Sequence, residues 1–231
     1  MKEQMKMLLM RWRLDGLARS VTRKISGIGL GKLLIKFPTY DQSIAQLVSA
    51  ADDPVRYAAV ALAVKSLHAQ NIAGSLAEVG VYRGELSRLL HTLAPERDLY
   101  LFDTFAGFPA SDLERQDVRF RDTSIELVQR ALGDLNHVIF KPGYFPETAQ
   151  GLENERFAFV MLDLDLYKPT VAGMEFFYPR LVSGGYLFAH DYNSPESQRA
   201  VSRAVNEYMK DKPEKIVELP DKWGSAIIRK I

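Results

Sequence analysis

Two carboxylates separated by a single leucine, Asp163-Leu164-Asp165, stand at the end of the apolar run Phe157-Ala158-Phe159-Val160-Met161-Leu162. A run without polar alternation reads as a strand buried on both faces, the usual strand of a parallel sheet. Ligands of such sheets bind outside the carboxyl ends of the strands, so acids delivered there are placed for chemistry. The structural alternative is that Asp165 caps a helix begun by Tyr167-Lys168-Pro169, which accounts for one acid but not for two.

Other strand ends carry chemistry of the same kind. Glu78 precedes Gly80-Val81-Tyr82-Arg83-Gly84, Asp103 ends the run Leu99-Tyr100-Leu101-Phe102, and His190-Asp191 ends Gly185-Tyr186-Leu187-Phe188-Ala189. Gly80 and Gly84 let a ligand approach the backbone at a helix N-terminus, although their spacing is not that of the dinucleotide fingerprint. An acid at the end of the second strand accepts hydrogen bonds from ribose hydroxyls. If the strands before Asp163 and His190 are neighbours, two carboxylates and an imidazole meet and suit a divalent ion. Oxygen ligands alone favour Mg²⁺, and the imidazole shifts the choice toward Mn²⁺, Fe²⁺ or Zn²⁺. Otherwise His190 is a packed or solvated side chain and Asp191 caps a turn.

Positioning these residues takes alternating strands and helices. Strands are expected at 75–79, 99–102, 137–140, 157–162 and 185–189. Segments 215–219 and 225–229, joined by Asp221-Lys222-Trp223-Gly224, read as an antiparallel hairpin. Helices are expected at about 41–50, from Pro54 to about Gln70, through Leu86, Leu89, Leu90 and Leu93, and at 124–132 and 168–180. A further one starts at Ser194-Pro195-Glu196. The pattern predicts an α/β domain with a doubly wound, mostly parallel seven-stranded sheet covered on both faces.

Composition excludes several function classes. The chain has 231 residues, 47% hydrophobic and 26% charged, with a formal net charge of +1. No whole-molecule field calls for nucleic acid. The absence of cysteine excludes disulfides, thiolate metal sites and a cysteine nucleophile. No apolar stretch approaches the roughly 18 residues of a membrane span. Met7-Leu8-Leu9-Met10, followed by Arg11 and Arg13, is too short for the core of a signal peptide, and a cytoplasmic protein is expected. Residues 1 to about 37 are basic and amphipathic, as in a helix packed on its own domain or on a second subunit. Gly27-Ile28-Gly29-Leu30-Gly31-Lys32 has no apolar strand before it and reads as a flexible hinge, not a phosphate loop. Arg115, Asp117, Arg119, Arg121 and Asp122 mix both signs in a long loop after Asp103.

EVGVYRG (Glu78–Gly84), LFDTFAGFP (Leu101–Pro109), KPGYF (Lys141–Phe145), LDLDLYKPT (Leu162–Thr170), FYPRLVSGGYLFAHDY (Phe177–Tyr192) and the closing IIRK occur in this order. Together they resemble the TylF/MycF/NovP group of S-adenosylmethionine-dependent O-methyltransferases, which act on sugar hydroxyls of macrolide and aminocoumarin natural products. The resemblance covers about residues 54 to 231. It implies a class I methyltransferase fold over residues 51–231 and a helical extension, 1–50, serving as lid and dimer contact. The protein would then be a homo-oligomer acting on a sugar or glycoside.

Carried over by position, the resemblance gives Glu78, Gly80, Val81, Tyr82 and Gly84 to the cofactor's methionine moiety. It gives Asp103, with Thr104 and Phe105, to the nucleoside, and Ser124, Gly143, Tyr144 and Phe145 to the adenine region. Asp163 matches the first ligand of a Mg²⁺ ion, and positions 190 and 191 match two further aspartates. Asp165 matches the proposed general base. Here the sequence departs from the family, because His190-Asp191 stands where the group has two aspartates. Three outcomes follow: a metal site (Mg²⁺ or Mn²⁺) with one nitrogen ligand, a metal-independent enzyme with His190 as base, or an inactive cofactor-binding relative. A glycosyltransferase of the DxD type would also use Asp163-Leu164-Asp165, but it leaves the Glu78–Gly84 loop and the His190-Asp191-Tyr192 segment unexplained.

Overall fold

The computed structural model describes residues 42–108, 119–195 and 198–231. The basic N-terminal segment, the Gly27–Lys32 hinge, Arg115 and Asp117 of the long loop, and Glu196 lie outside the described residues. The chain divides into two compact units with the boundary between Pro54 and Val55. In the first, the described residues form helix α1 (Gln42–Ala50), of which Val48 is buried.

The second unit begins within helix α2 (Pro54–Ala69). Proline suits that first position, where the missing N–H has no intrahelical partner to lose. Tyr57, Ala58, Val60, Ala61, Ala63, Val64 and Leu67 are buried, so the helix is apolar over most of its surface. Strand and helix then alternate through β1 (Ser75–Val79), α3 (Glu85–Leu93), β2 (Leu99–Asp103), α4 (Ile125–Leu132) and β3 (Val138–Pro142). They continue through β4 (Phe157–Leu162), α5 (Tyr167–Phe177), β5 (Leu181–Ala189), α6 (Ala200–Met209), β6 (Val217–Leu219) and β7 (Ser225–Arg229).

The seven strands form one sheet in the order β3-β2-β1-β4-β5-β7-β6. Pairing is parallel from β3 to β5, and β7 runs antiparallel to both β5 and β6. Strands β1 and β4 are buried at every residue, as expected for strands with helices on both sides. The order reverses between β1 and β4, and that switch point is where such sheets open a crevice for ligands.

Several boundaries differ from expectation, each for a local reason. β5 starts at Leu181, four residues early. Leu181 already pairs with Phe157, and the register then shifts before Phe159 pairs with Tyr186; the Gly184-Gly185 pair marks an irregularity inside the strand instead of its start. β3 runs on to Pro142, which pairs with Asp103, because an edge strand tolerates proline. α5 ends at Phe177 and gives way to a 3₁₀ turn, Tyr178–Arg180. α6 begins at Ala200, since Arg199 before it has the left-handed conformation, φ 59° and ψ 31°. β6 shrinks to three largely exposed residues at the other edge.

On one face of the sheet the core is aromatic. Phe177 of α5 lies edge-on to Phe157 and Phe102, at 5.0 and 5.7 Å between centroids, and stacks on Phe145 at 5.6 Å. Fully burying one such ring stabilises the fold by about 1.5–3 kcal/mol. This packing fastens α5 across β2 and β4, beside the residues at their ends.

Candidate active site

Adjoining strands carry the ladder past their ends into the crevice. Asp163 N–H donates to Val79 O at 2.8 Å, and His190 N–H donates to Leu162 O at 2.8 Å. Gly80 follows β1 with φ +95°, and a Cβ built on it would lie 2.0 Å from Asp163 O. Glycine is required at 80 because the backbone leaving β4 passes there. Gly84 has an internal reason too, since its Cβ would lie 2.7 Å from Val128 Cγ1 of α4. Both glycines are thus explained by chain packing, without appeal to room for a ligand.

The ends of β4 and β5 bring Asp163, His190 and Asp191 together, as the sequence implied. His190 Nδ1 stands 3.0 Å from Asp163 Oδ1 and 3.2 Å from Asp191 Oδ2, with His190 and Asp191 both buried. His190 Nε2 is buried with no hydrogen-bond partner among the described residues. Sequence reasoning missed the fourth member, Arg56 on the first turn of α2. Its Nη1 donates to Asp163 Oδ2 at 2.8 Å, with side-chain exposures of 15% and 24%. Burial pushes the Asp163 carboxyl upward, but His190 and Arg56 outweigh it and hold the group well below the usual carboxylate range. Burial likewise opposes the charged form of His190, and the Asp163 carboxylate overrides it, raising the imidazole above its ordinary 6.5.

Asp165 has a different environment. It is the middle residue of a tight turn, at φ +59°, closed by Leu166 N–H donating to Leu164 O at 2.6 Å. It does not cap α5, whose N-cap is Leu166 with no side-chain capping bond. Burial, then the charges of Asp191 and Asp163, raise its carboxyl well above the ordinary aspartate value, while Arg119 pulls the other way. One aspartate of the pair is therefore locked as an anion, and the other is a carboxyl with raised proton affinity.

Asp103, expected at a ribose, first holds the protein's own backbone. Its Oδ2 accepts from Val81 N at 2.8 Å and Tyr82 N at 2.9 Å, and its Oδ1 accepts from Phe105 N at 2.7 Å. A carboxylate offers about four acceptor sites, so the clasp leaves it room for a further hydroxyl donor. Beside it Phe105 and Phe140 form a half-buried aromatic pair, centroids 6.3 Å apart, suited to the face of a flat base. The loop after β1 and this aromatic pair thus fit a nucleoside-bearing cofactor.

The remaining expected residues are divided. Tyr82 donates its hydroxyl to Asp122 Oδ1 at 2.9 Å and meets the edge of Phe120 at 5.2 Å. Thr104 Oγ1 donates to Gly107 O at 2.7 Å, so both fold the rim of the crevice. Val81 is buried, Gly143 N–H donates to Asp103 O at 2.9 Å, and Tyr144 is half-buried. Ser124 is the N-cap of α4, accepting from Leu127 N at 3.2 Å. Phe145 is 5% exposed and belongs to the aromatic core. Glu78 is buried on the other face of the sheet, bonded by the hydroxyl of Ser87 on α3; burial raises its carboxyl to about 8. Arg56 left one trace in the sequence, as a charge in the otherwise apolar first half of α2.

Asp163, His190 and Asp191 each offer a donor atom, and the three lie within 4.8 Å of one another. Their spacing is compatible with a shared ion, but their donor atoms are already engaged. Arg56 Nη1 covers Asp163 Oδ2, and His190 Nδ1 lies against Asp163 Oδ1 and Asp191 Oδ2, so an ion among them would have to displace a fixed guanidinium. At an effective dielectric of about 20, unit charges 4 Å apart interact by about 4 kcal/mol, and a divalent ion would meet about twice that repulsion from Arg56. As arranged, these residues do not fit a divalent metal.

The model of the family described as Macrocin-O-methyltransferase (TylF) matches residues 54–219. A tetracenomycin-C rhamnosyl 4'-O-methyltransferase of Streptomyces olivaceus is 30% identical over 148 residues, 56% of this chain and 57% of the relative. Mycinamicin III 3''-O-methyltransferase of Micromonospora griseorubida is 29% identical over 166 residues, 63% and 64% of the two chains. The chain thus spans less than two thirds of the length of these relatives. The structure of the O-methyltransferase NovP superposes with a TM-score of 0.64 at 22% identity, covering 77% of this chain and 80% of that one, a likeness of fold. With the class I methyltransferase sheet and more than half the chain matched, this protein belongs to the macrocin-O-methyltransferase (TylF) family.

Proposed function

We propose that this chain transfers the methyl group of S-adenosylmethionine to a hydroxyl of a sugar or of a glycosylated small molecule. Asp165 carries the reading: a carboxyl of raised proton affinity, set apart from the locked Asp163 pair at the switch point of the sheet. When bound, the sulfonium supplies an electrophilic methyl group, and the reaction is an in-line displacement by the acceptor oxygen. A sugar hydroxyl is a poor nucleophile while it keeps its proton. Asp165 takes that proton as general base, a role that contributes typically 10²–10⁴-fold. Its raised proton affinity matches the task better than an ordinary carboxylate would. Arg56 and His190 flank Asp163 and hold it as an anion.

On the cofactor side, the loop from Val81 to Gly84 with Asp103, Thr104 and Phe105 receives the methionine and ribose parts, and Phe105 with Phe140 receives the base. Both named relatives methylate sugars of natural products, which supports a deoxysugar glycoside as acceptor. The N-terminal 50 residues would serve as lid and dimer contact. The test has two arms. S-adenosylhomocysteine binding is measured by calorimetry, and rhamnosides are incubated with S-adenosylmethionine and read by mass spectrometry for a methylated product. Tight cofactor binding with methylated product supports the reading; binding of a nucleotide sugar in place of S-adenosylhomocysteine would sink it.

A further inference from the structure

Arg56 has a job that the methyl-transfer reading does not by itself require. The guanidinium keeps its charge at every pH a protein survives. It reaches Asp163 from a helix whose next residues, Tyr57 and Ala58, are 5% exposed, so its root is fixed. It occupies one oxygen of Asp163 at 2.8 Å while His190 occupies the other at 3.0 Å. The remaining contact of His190 Nδ1 is Asp191 Oδ2, at 3.2 Å. Every residue that matches a metal ligand in the family is thus engaged with a nitrogen of this chain or supplies one.

We infer that Arg56 is the resident cation of this site, standing with His190 in place of a divalent ion, so that the chain binds its ligands and transfers methyl groups without metal. The inference rests on the methyl-transfer reading and concerns only how its charge is supplied. Arg56 acts through Asp163 and is a positioning residue. A merely structural ion pair would tie α2 to β4 in the same way but would leave the metal affinity of the site unchanged, which separates the two roles.

The experiment uses the full chain stripped with chelator, and Mn²⁺ alone as probe, followed by the paramagnetic signal of the free ion. The wild type and Arg56→Lys are expected to take up no Mn²⁺, and wild-type affinity for S-adenosylhomocysteine should be the same with chelator or with Mn²⁺. Arg56→Met uncovers a net negative cluster and should bind one equivalent at least ~10-fold more tightly than wild type, an uptake abolished by adding Asp163→Asn. One equivalent bound by the wild type and lost in Asp163→Asn overturns the inference, as does a folded Arg56→Met that binds no more than wild type. Should Arg56→Met fail to fold, the wild-type titration decides alone. A wild type that binds no S-adenosylhomocysteine under either condition defeats the methyl-transfer reading instead, while the Mn²⁺ titration still reports on Arg56.

Discussion

Gly80 and Asp163 meet backbone to backbone across the switch point, so close that a β-carbon on the glycine would fall 2.0 Å from the Asp163 carbonyl oxygen. The contact is with main chain, which cannot swing aside as a side chain can. Gly80→Ala combines that clash with a φ of +95°. It is expected to destabilise the fold by about 2–4 kcal/mol, read as a lower urea midpoint with an unchanged slope. It should also shift Asp163 and weaken S-adenosylhomocysteine binding. A variant as stable as wild type would mean that the two strand ends separate more easily than this packing implies.

Asp165→Asn separates proton transfer from binding. The amide fills the same space and removes the base, so turnover should fall by about 10²–10⁴-fold. Affinity for S-adenosylhomocysteine should change little, because Val81, Tyr82 and Phe105 meet Asp103 and not Asp165. Calorimetry and initial rates on one preparation check both halves. Full activity in the variant would move the base elsewhere in the crevice.

Asp103→Asn replaces a charged acceptor of three backbone N–H groups with a single amide oxygen. Hydrogen bonds to a charged group contribute about 1.5–3 kcal/mol. The expected result is faster hydrogen exchange at Val81 and Tyr82, with at least a ~10-fold loss in S-adenosylhomocysteine affinity. Unchanged exchange at those two amides would show that the loop is held by other contacts.

Glu78 supplies a pH dependence of stability. Burial raises its carboxyl from 4.5 to about 8, so the folded protein holds this proton more tightly than the unfolded chain. Stability from this group therefore declines as pH rises from about 4.5 to about 8, at on the order of 1 kcal/mol per pH unit, and is level beyond. Glu78→Gln keeps an acceptor for Ser87 and removes the titration. Its melting temperature should match wild type at low pH and exceed it increasingly across that window. Parallel curves over the whole range would count against a raised Glu78.

Much of this was legible in the sequence, for identifiable reasons. Strand β4 announced itself as an uninterrupted apolar run and β2 and β5 as shorter ones, which put Asp103, Asp163 and His190-Asp191 at strand ends. Period and composition, however, say nothing about side-chain partners. They could not show that Asp103 spends two contacts on the loop after β1 and a third on its own, that Phe145 belongs to the core, or that Ser124 serves as a helix cap. Arg56 was hidden for the opposite reason. It lies 107 residues from Asp163 in the chain, in a helix that reads as plain packing, and only the folded sheet brings the two together. The boundary errors at β5 and α6 share a cause, since glycine pairs and left-handed residues are placed by tertiary contacts that local patterns do not encode.

The clasp at Asp103 bears on how a ligand would be received. A loop whose Val81 and Tyr82 amides are already tied by two bonds to the neighbouring strand end, with Phe105 tied to it by a third, has lost most of its conformational freedom before any encounter. Fixing one residue's backbone costs roughly 1–2 kcal/mol of entropy, and at Val81, Tyr82 and Phe105 folding has already met that cost. Binding on this side of the crevice should therefore resemble insertion into a rigid mould, with a small entropic penalty and an association rate insensitive to solvent viscosity beyond simple diffusion.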